Sequence, residues 1–360
     1  MKHRFFLPLL IPCILCFAEN TERAARLEPS PSTLSQPNYL SLGKEELASS
    51  LQSSPFADVP LKMTDSSETQ KAEPWLDVRL YAGHVNGKSG EIVYVRAESG
   101  EVYRLSQLDW FIPNLWAMGA KISKSLLANT LHLSIKGWGK MAANNTTMID
   151  RDWQDETSIK TLTDISVHKS RIEKAYELVA EMGYDFFSIK KNQSTLIVRW
   201  LIGYEHLFIA WDSFGSVYNY GTGTHKGWDP DMHRAIFYSQ RFSIPYQGLQ
   251  IGWNLNKMLK VVLFGKGSTT AAMQDRDIHF YRQIIFDSDF SRCSYWTVGG
   301  QVEWNLWKSL YYTMDYEYER FNKALGITTQ KRPDTPDRTY GGAGAFHEHQ
   351  TITLGLTTEF

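Results

Sequence analysis

Phe346-His347-Glu348-His349-Gln350-Thr351-Ile352-Thr353-Leu354-Gly355-Leu356-Thr357-Thr358-Glu359-Phe360 is the stretch whose period decides the fold class. Phe346, Ile352, Leu354, Leu356 and Phe360 fall on one parity, and His347, His349, Thr351, Thr353, Thr357 and Glu359 on the other. Successive side chains of a strand point to opposite faces, so this segment reads as a strand with one apolar and one polar face. The same alternation recurs upstream. Leu310, Tyr312, Met314, Tyr316 and Tyr318 alternate with Tyr311, Thr313, Asp315, Glu317 and Glu319. Trp296, Val298, Val302, Trp304 and Leu306 form another apolar face, as do Leu196, Val198, Trp200, Ile202, Tyr204 and Phe208. Two-faced strands of this kind fit a sandwich, a soluble barrel or a membrane barrel.

Composition narrows the choice. The 360 residues carry a net charge of −1, which argues against a polyanion held by bulk charge, so no nucleic-acid partner is expected. Lys2, His3 and Arg4 precede a short apolar run, Phe5 to Phe17, and Cys16-Phe17-Ala18 offers small residues for signal peptidase. A signal peptide over 1–18 is expected, after whose removal Cys293 is the one remaining cysteine and no internal disulfide can form. Residues 19–74, rich in Ser, Pro, Glu and Thr, read as a disordered extension. No later run long enough for a membrane helix is free of charge. Aromatic residues gather toward strand ends, as in interfacial girdles, and the final strand closes on Phe360. Together these features predict an all-β, ten-stranded antiparallel transmembrane β-barrel over 75–360.

The expected strands are 75–95, 103–125, 129–140, 171–190, 194–213, 232–254, 258–272, 284–305, 309–322 and 346–360. Short turns fall near Leu127, Lys191, Asn256 and Trp307, and long loops at 96–102, 141–170, 214–231, 273–283 and 323–345. Short turns on one side and long loops on the other predict a periplasmic and an external end.

Two acidic motifs then share the external end. In Asp275-Arg276-Asp277-Ile278-His279, an extended backbone sets Asp275, Asp277 and His279 on one face. A carboxylate beside an imidazole fixes its tautomer and stabilises the imidazolium, which makes an acid–base unit. Asp150-Arg151-Asp152 repeats the period-two acidic spacing in the second long loop. Loops from opposite walls of one barrel mouth can face each other across a groove.

Several separated blocks resemble the omptin family of outer-membrane endopeptidases. They are Ser106-Gln107-Leu108-Asp109-Trp110, Met148-Ile149-Asp150-Arg151-Asp152-Trp153, Thr163-Asp164-Ile165-Ser166-Val167-His168, Gln240-Arg241-Phe242 with Pro245-Tyr246, Asp275 to His279, and Gly342-Ala343-Gly344. The resemblance implies an outer-membrane enzyme whose active site faces outside. It implies that Asp277 orients His279 as general base on a water, and that Asp150 and Asp152 hold that water from across the groove. It implies neither a covalent intermediate nor a metal. It also implies a preference for polypeptides with basic residues at the cut, through a pocket whose acids match Glu91 and Asp275; two carboxylates suit an Arg or Lys side chain. Ser166 and His168 could suggest serine catalysis, but no strained nucleophile turn surrounds Ser166, and the resemblance makes both groove-supporting residues.

Departures from the family concern its lipopolysaccharide contacts. Tyr204 and Arg241 match, but His206, Phe208 and Ser291 stand where the family carries Glu, Arg and Lys. Lipopolysaccharide is thus expected as a weaker or differently built contact, no other cofactor is expected, and the barrel is expected as a monomer. Two alternatives are a catalytically weak barrel acting as an adhesin and a porin-like channel; inward Trp138, Tyr295 and Tyr311 argue against the channel by filling the lumen.

Overall fold

A computed structural model describes residues 76–96, 100–127, 129–142, 145–154, 161–223 and 225–360. The expected leader, 1–18, and extension, 19–74, lie outside these residues. The strands are β1 (Asp77–Arg96), β2 (Val102–Leu126), β3 (Leu131–Lys140), β4 (Asn145–Asp152), β5 (Asp164–Lys191), β6 (Ser194–Tyr220), β7 (His225–Asn254), β8 (Leu259–His279), β9 (Ile284–Trp307), β10 (Leu310–Arg332) and β11 (Thr335–Glu359). Every pairing is antiparallel, and β1 pairs with both β2 and β11, from Asp77↔Glu359 to Val93↔Ala343, so the sheet closes on itself. Closure matters because an unpaired sheet edge cannot be satisfied in hydrocarbon. Among the described residues no helix is long and apolar enough to cross a membrane.

Eleven strands occupy ten positions around the ring. β3 pairs with Ala117 to Leu126 of β2 and with β5 at one end, while β4 pairs with Ser106 to Trp110 of β2 and with β5 at the other. The two short strands therefore share one place in the wall. The four tight turns lie where the alternation broke. In them Leu127, Asn129, Asn192 and Lys308 adopt positive φ, and Asn256 Oδ1 accepts from the Met258 and Leu259 N–H groups at 2.7 and 2.9 Å.

The long loops differ from expectation. Much of 141–170, 214–231, 273–283 and 323–345 is paired strand, so hairpins rise past the body of the barrel. Their alternation carries little hydrophobic signal because the inward face is largely polar too. Thr328 to Arg332, for example, pairs with both β9 and β11, yet is polar at every position.

Outward positions carry an apolar belt that includes Leu80, Met118, Ile135, Leu178, Leu249, Leu263, Met314 and Leu354, with Trp200, Trp253, Trp304 and Tyr312 also exposed. Beyond the belt the outer wall becomes charged, with Lys88–Glu348 and Arg276–Asp287–Lys331 ion pairs. The belt wants a hydrocarbon solvent and the charged zone wants water. The interior is polar and filled. Arg79 Nη1 donates to both Asp315 oxygens at 2.8 Å, Trp138 Nε1 donates to Glu177 Oε2 at 2.8 Å, and the Tyr295 hydroxyl lies between Glu205 Oε2 and Glu319 Oε2 at 2.9 and 2.6 Å. Over this polar lumen sits a layer of fully buried rings: Trp110, Trp211, Tyr238, Phe242 and Phe321.

The closing seam is tight at Gly83, where an added Cβ would lie 2.0 Å from Ile352 O and 2.8 Å from Thr353 Cα. A Gly83→Val change must push β1 from β11, an overpacking cost of about 1–3 kcal/mol. A lower refolded yield, read from heat-dependent gel mobility, is expected; unchanged yield and thermal midpoint would contradict this account of the seam.

Candidate active site

β4 exists because its inward residues continue the face of its neighbours. Met148 is fully buried opposite Trp110, Asp150 opposes Leu108 and Ser166, and Asp152 opposes Ser106 and Asp164. Directly opposed residues face the same way, so both aspartates point into the mouth. Ser106 Oγ donates to Asp150 Oδ1 at 3.3 Å. The other motif ends β8, where Asp275 opposes Gln240 and Ser288, and Asp277 opposes Tyr238 and Phe286. Both motifs thus lie at strand positions rather than in the loops expected for them. Asp150 and Asp152 belong to a short strand inside the former loop segment, and Asp277 and His279 to the extended end of β8.

His279 Nε2 lies 2.6 Å from Asp277 Oδ2. A carboxylate only accepts, so Nε2 carries the proton in this bond and Nδ1 remains as the basic nitrogen. The Phe286 ring meets the imidazole edge-on at 5.7 Å. Burial disfavours the imidazolium, but the charge and hydrogen bond of Asp277 outweigh it and raise the His279 pKa above 6.5.

The walls touch across the mouth. Gln240 Nε2 of β7 donates to Gly90 O of β1 at 3.5 Å, and Trp211 Nε1 of β6 donates to Phe111 O of β2 at 3.3 Å. Trp110 of β2 stacks on Tyr238 of β7 with centroids 5.2 Å apart. Glu91, next to Gly90, is thereby brought toward Asp275, which opposes Gln240 in the sheet. Tyr238 Oη donates to Asp275 Oδ2 at 3.2 Å and accepts from Gln240 Nε2 at 2.8 Å. Among the described residues, Glu91 Oε2, Asp275 Oδ1, Asp277 Oδ1 and Gln240 Oε1 are buried acceptors without a hydrogen-bond donor. That acceptor set suits an incoming cation rich in N–H groups.

Crowded carboxyls hold their protons. Burial first, then the charges of Asp277, Asp275 and Asp150, push Glu91 well above the usual carboxylate range. Burial, with Asp152 next, pushes Asp150 up to about 7, against the opposing pull of His279. Burial also raises Asp152, against a hydrogen bond from Ser106. Burial carries Asp275 to about 7, with Asp277 adding to it against hydrogen bonds from Ser288 and Tyr238. The charges of His279 and Asp277 thus reach Asp150, and the charge of Arg282 at the β8–β9 turn acts on both Asp152 and His279. The two acidic motifs form one electrostatic unit.

The sequence reading passed over Tyr238, Trp211 and Ser288, and it met Ser106, Trp110 and Gln240 only inside family blocks. The parity of β7 puts Tyr238, Gln240 and Phe242 inward, but nothing local shows that this face touches β1 and β2. Ser166 Oγ and His168 Nε2 are hydrogen-bonded at 2.9 Å, with Ser166 opposite Asp150. On the outer wall Tyr204 is exposed, and the Arg241 guanidinium lies 5.8 Å from the Phe208 ring. Lys174, which the sequence reading did not single out, reaches the rings of Tyr176 and Phe208 at 5.1 and 5.8 Å.

A closed barrel with an apolar belt defines the class as an outer-membrane β-barrel, here with an acid–histidine cleft at its mouth. The Omptin family profile matches residues 75–360, and the chain belongs to that family of outer-membrane β-barrel proteases. Plasminogen activator of Yersinia pestis is 28% identical over 287 residues, covering 79% of this chain and 89% of its own. Outer membrane protease OmpP of Escherichia coli strain K12 is 25% identical over 292 residues, covering 79% and 90%. The crystal structure of outer membrane protease OmpT from Escherichia coli superposes with a TM-score of 0.74 at 23% identity, covering 82% of this chain and 100% of the other, which establishes the shared fold.

The raised carboxyls have a stability consequence. Asp275 titrates at about 7 in the barrel against an ordinary 3.8, so it favours the fold below 3.8 and loses that contribution as pH rises through about 7. Asp275→Asn is therefore expected to raise the thermal midpoint in detergent at about pH 8 and to match wild type at about pH 3.5. A difference of the same size at both pH values would refute the buried titration.

Proposed function

We propose that the protein is an endopeptidase that hydrolyses polypeptides beside basic residues with an activated water. The observation that carries this reading is the Asp277–His279 contact of 2.6 Å, electrostatically coupled to Asp150 across the mouth. In this mechanism Asp150 and Asp152 share a proton and hold a water by the remaining acceptors. His279 Nδ1 takes a proton from that water as it attacks the scissile carbonyl, and Asp277 stabilises the imidazolium. The same proton then goes to the departing amine. Every step uses this chain's own residues and water, and the substrate meets the rim from outside. The barrel is read as a monomer.

Specificity follows from the orphan acceptors. A guanidinium or ammonium entering between Glu91 and Asp275 would draw both carboxyls into their ionised forms and supply the N–H groups that Glu91 Oε2 and Asp275 Oδ1 lack. On the outer wall, we assign Tyr204 and Arg241, with Lys174 beside them, as a contact for lipopolysaccharide phosphate. The Ser166–His168 hydrogen bond supports a second reading, a serine nucleophile, which Ser166→Ala separates from the first.

His279→Ala and Asp150→Ala are each expected to lower kcat/KM on an Arg-Arg peptide by about 10²–10⁴, while Ser166→Ala retains most of it. Near-wild-type cleavage in both of the first two variants would sink the water mechanism. The acid limb of the kcat/KM profile should lie above 6.5 because Asp277 raises His279. In Asp277→Asn that limb should move to lower pH while the rate falls; an unmoved limb assigns it to another group. Glu91→Gln should weaken cleavage of Arg and Lys peptides by about tenfold or more, mainly in KM. Equal loss on a peptide with a neutral side chain at that position would remove Glu91 from the pocket.

A further inference from the structure

Below the ring layer, inside the barrel, a second cluster takes no part in the chemistry of the rim. Glu177, Glu319 and His349 are each buried to within 4% exposure, and one ligand-type atom from each lies within 4.8 Å of the others. Three different strands supply them: β5, β10 and β11. The remaining atoms of each side chain are already committed. Glu177 Oε2 accepts from Trp138 Nε1 at 2.8 Å, and Glu319 Oε2 accepts from Tyr295 Oη at 2.6 Å. His349 Nδ1 lies 3.0 Å from His347 Nε2, and His347 Nδ1 lies 2.6 Å from Ser89 Oγ. A neutral His349 donating from Nδ1 to His347 completes that chain and turns its Nε2 lone pair toward the two carboxylates. Outer hydrogen bonds that orient each ligand in this way are how metal sites are built.

Two further observations point to a cation there. His349 Nε2 sits 3.2 Å from Glu319 Oε1, an ion-pair contact when the imidazole is protonated, but without the alignment of a good hydrogen bond. Neighbouring ligands on one metal ion, with bonds of about 2.1 Å, stand about 3.0–3.4 Å apart without needing such alignment. Glu205, 2% exposed, is tied to the same Tyr295 hydroxyl as Glu319, and its Oε1 has no partner. Charge is also out of balance. The carboxylates of Glu177, Glu205, Glu317 and Glu319 meet two cations at most in this group, the Lys136 ammonium, 2.9 Å from Glu317 and 3.5 Å from Glu177, and His349 when it is protonated. Unpaired buried charge is costly, so either protons or a cation must make up the difference.

The geometry points to a divalent transition-metal site in the barrel lumen, with Glu177 Oε1, Glu319 Oε1 and His349 Nε2 as ligands and Glu205 beside them. Two carboxylate oxygens and one imidazole nitrogen suit Zn²⁺ or Mn²⁺ rather than the all-oxygen shells of Ca²⁺ or Mg²⁺. The ion would cross-link β5, β10 and β11 inside the wall and neutralise their charge. It has a structural role, separate from the proteolytic reading of the rim.

The test refolds the full chain with Zn²⁺ or Mn²⁺, dialyses it against metal-free buffer and measures retained metal by plasma mass spectrometry, beside His349→Gln, Glu319→Gln and His279→Ala. Wild type and His279→Ala should each keep about one ion per chain and melt several degrees higher with metal, whereas His349→Gln and Glu319→Gln should lose both. Wild type that keeps neither ion overturns the site and leaves the lumen charge to protons. Metal lost in His279→Ala but kept in His349→Gln places the ion at the rim and also overturns it. X-ray absorption of zinc-loaded His279→Ala makes the result independent of how the lumen variants fold. A mixed oxygen and imidazole shell supports the site, and a shell without imidazole refutes it.

Discussion

Trp110 stacked on Tyr238, with Trp211 against both, is the contact on which the mouth depends. These rings come from β2 and from the paired strands β6 and β7 on the facing wall. Where they meet, opposite walls approach closely enough for Gln240 to reach Gly90 O and Trp211 to reach Phe111 O. A wider barrel would leave the same aspartates solvated and independent. The stack narrows the mouth, so the charges of Asp150, Asp277 and His279 act on one another across a partly desolvated cleft.

The ring layer also divides the interior into two electrostatic compartments. Above it, carboxyls are crowded at the rim with acceptors left open. Below it, the lumen is a packed network in which Arg79, Lys136 and Lys266 answer acidic partners. Phe242 and Phe321, in edge contact at 4.9 Å, lie next to His347, so the boundary is one side chain thick. The buried ring layer lies across the lumen, which disfavours a channel and leaves a rigid platform for the rim. Rigidity matters there because a reacting group displaced by an ångström loses much of its advantage.

The pKa values at the rim follow from the same confinement. Burial is the first cause of every raised carboxyl in the cleft, and like charge is the next for Asp150 and Glu91. His279 runs the other way, since Asp277 overcomes burial. Environment alone thus brings Asp150 and Asp275 up to about 7, beside a histidine raised above 6.5. A basic side chain arriving in the pocket would exchange its charge for those protons, which couples binding to pH.

Much of this was legible in the sequence. A period of two over Phe346 to Phe360 and Leu310 to Glu319 determines strands with a lipid face and a lumen face, because side-chain direction in a strand depends on nothing but position. The same rule placed Asp275, Asp277 and His279 together. The hairpin extensions stayed hidden because strands polar on both faces show no alternation of hydrophobicity, and β4 offers only Met148 as a fully buried apolar side chain. Only the tertiary structure decided that Asp150 faces His279, that Gln240 brings Glu91 to Asp275, and that Glu177, Glu319 and His349 converge. Each of these depends on how many strands close the ring and how closely its walls approach. That is a property of the whole circuit of hydrogen bonds, and no local stretch of residues encodes it.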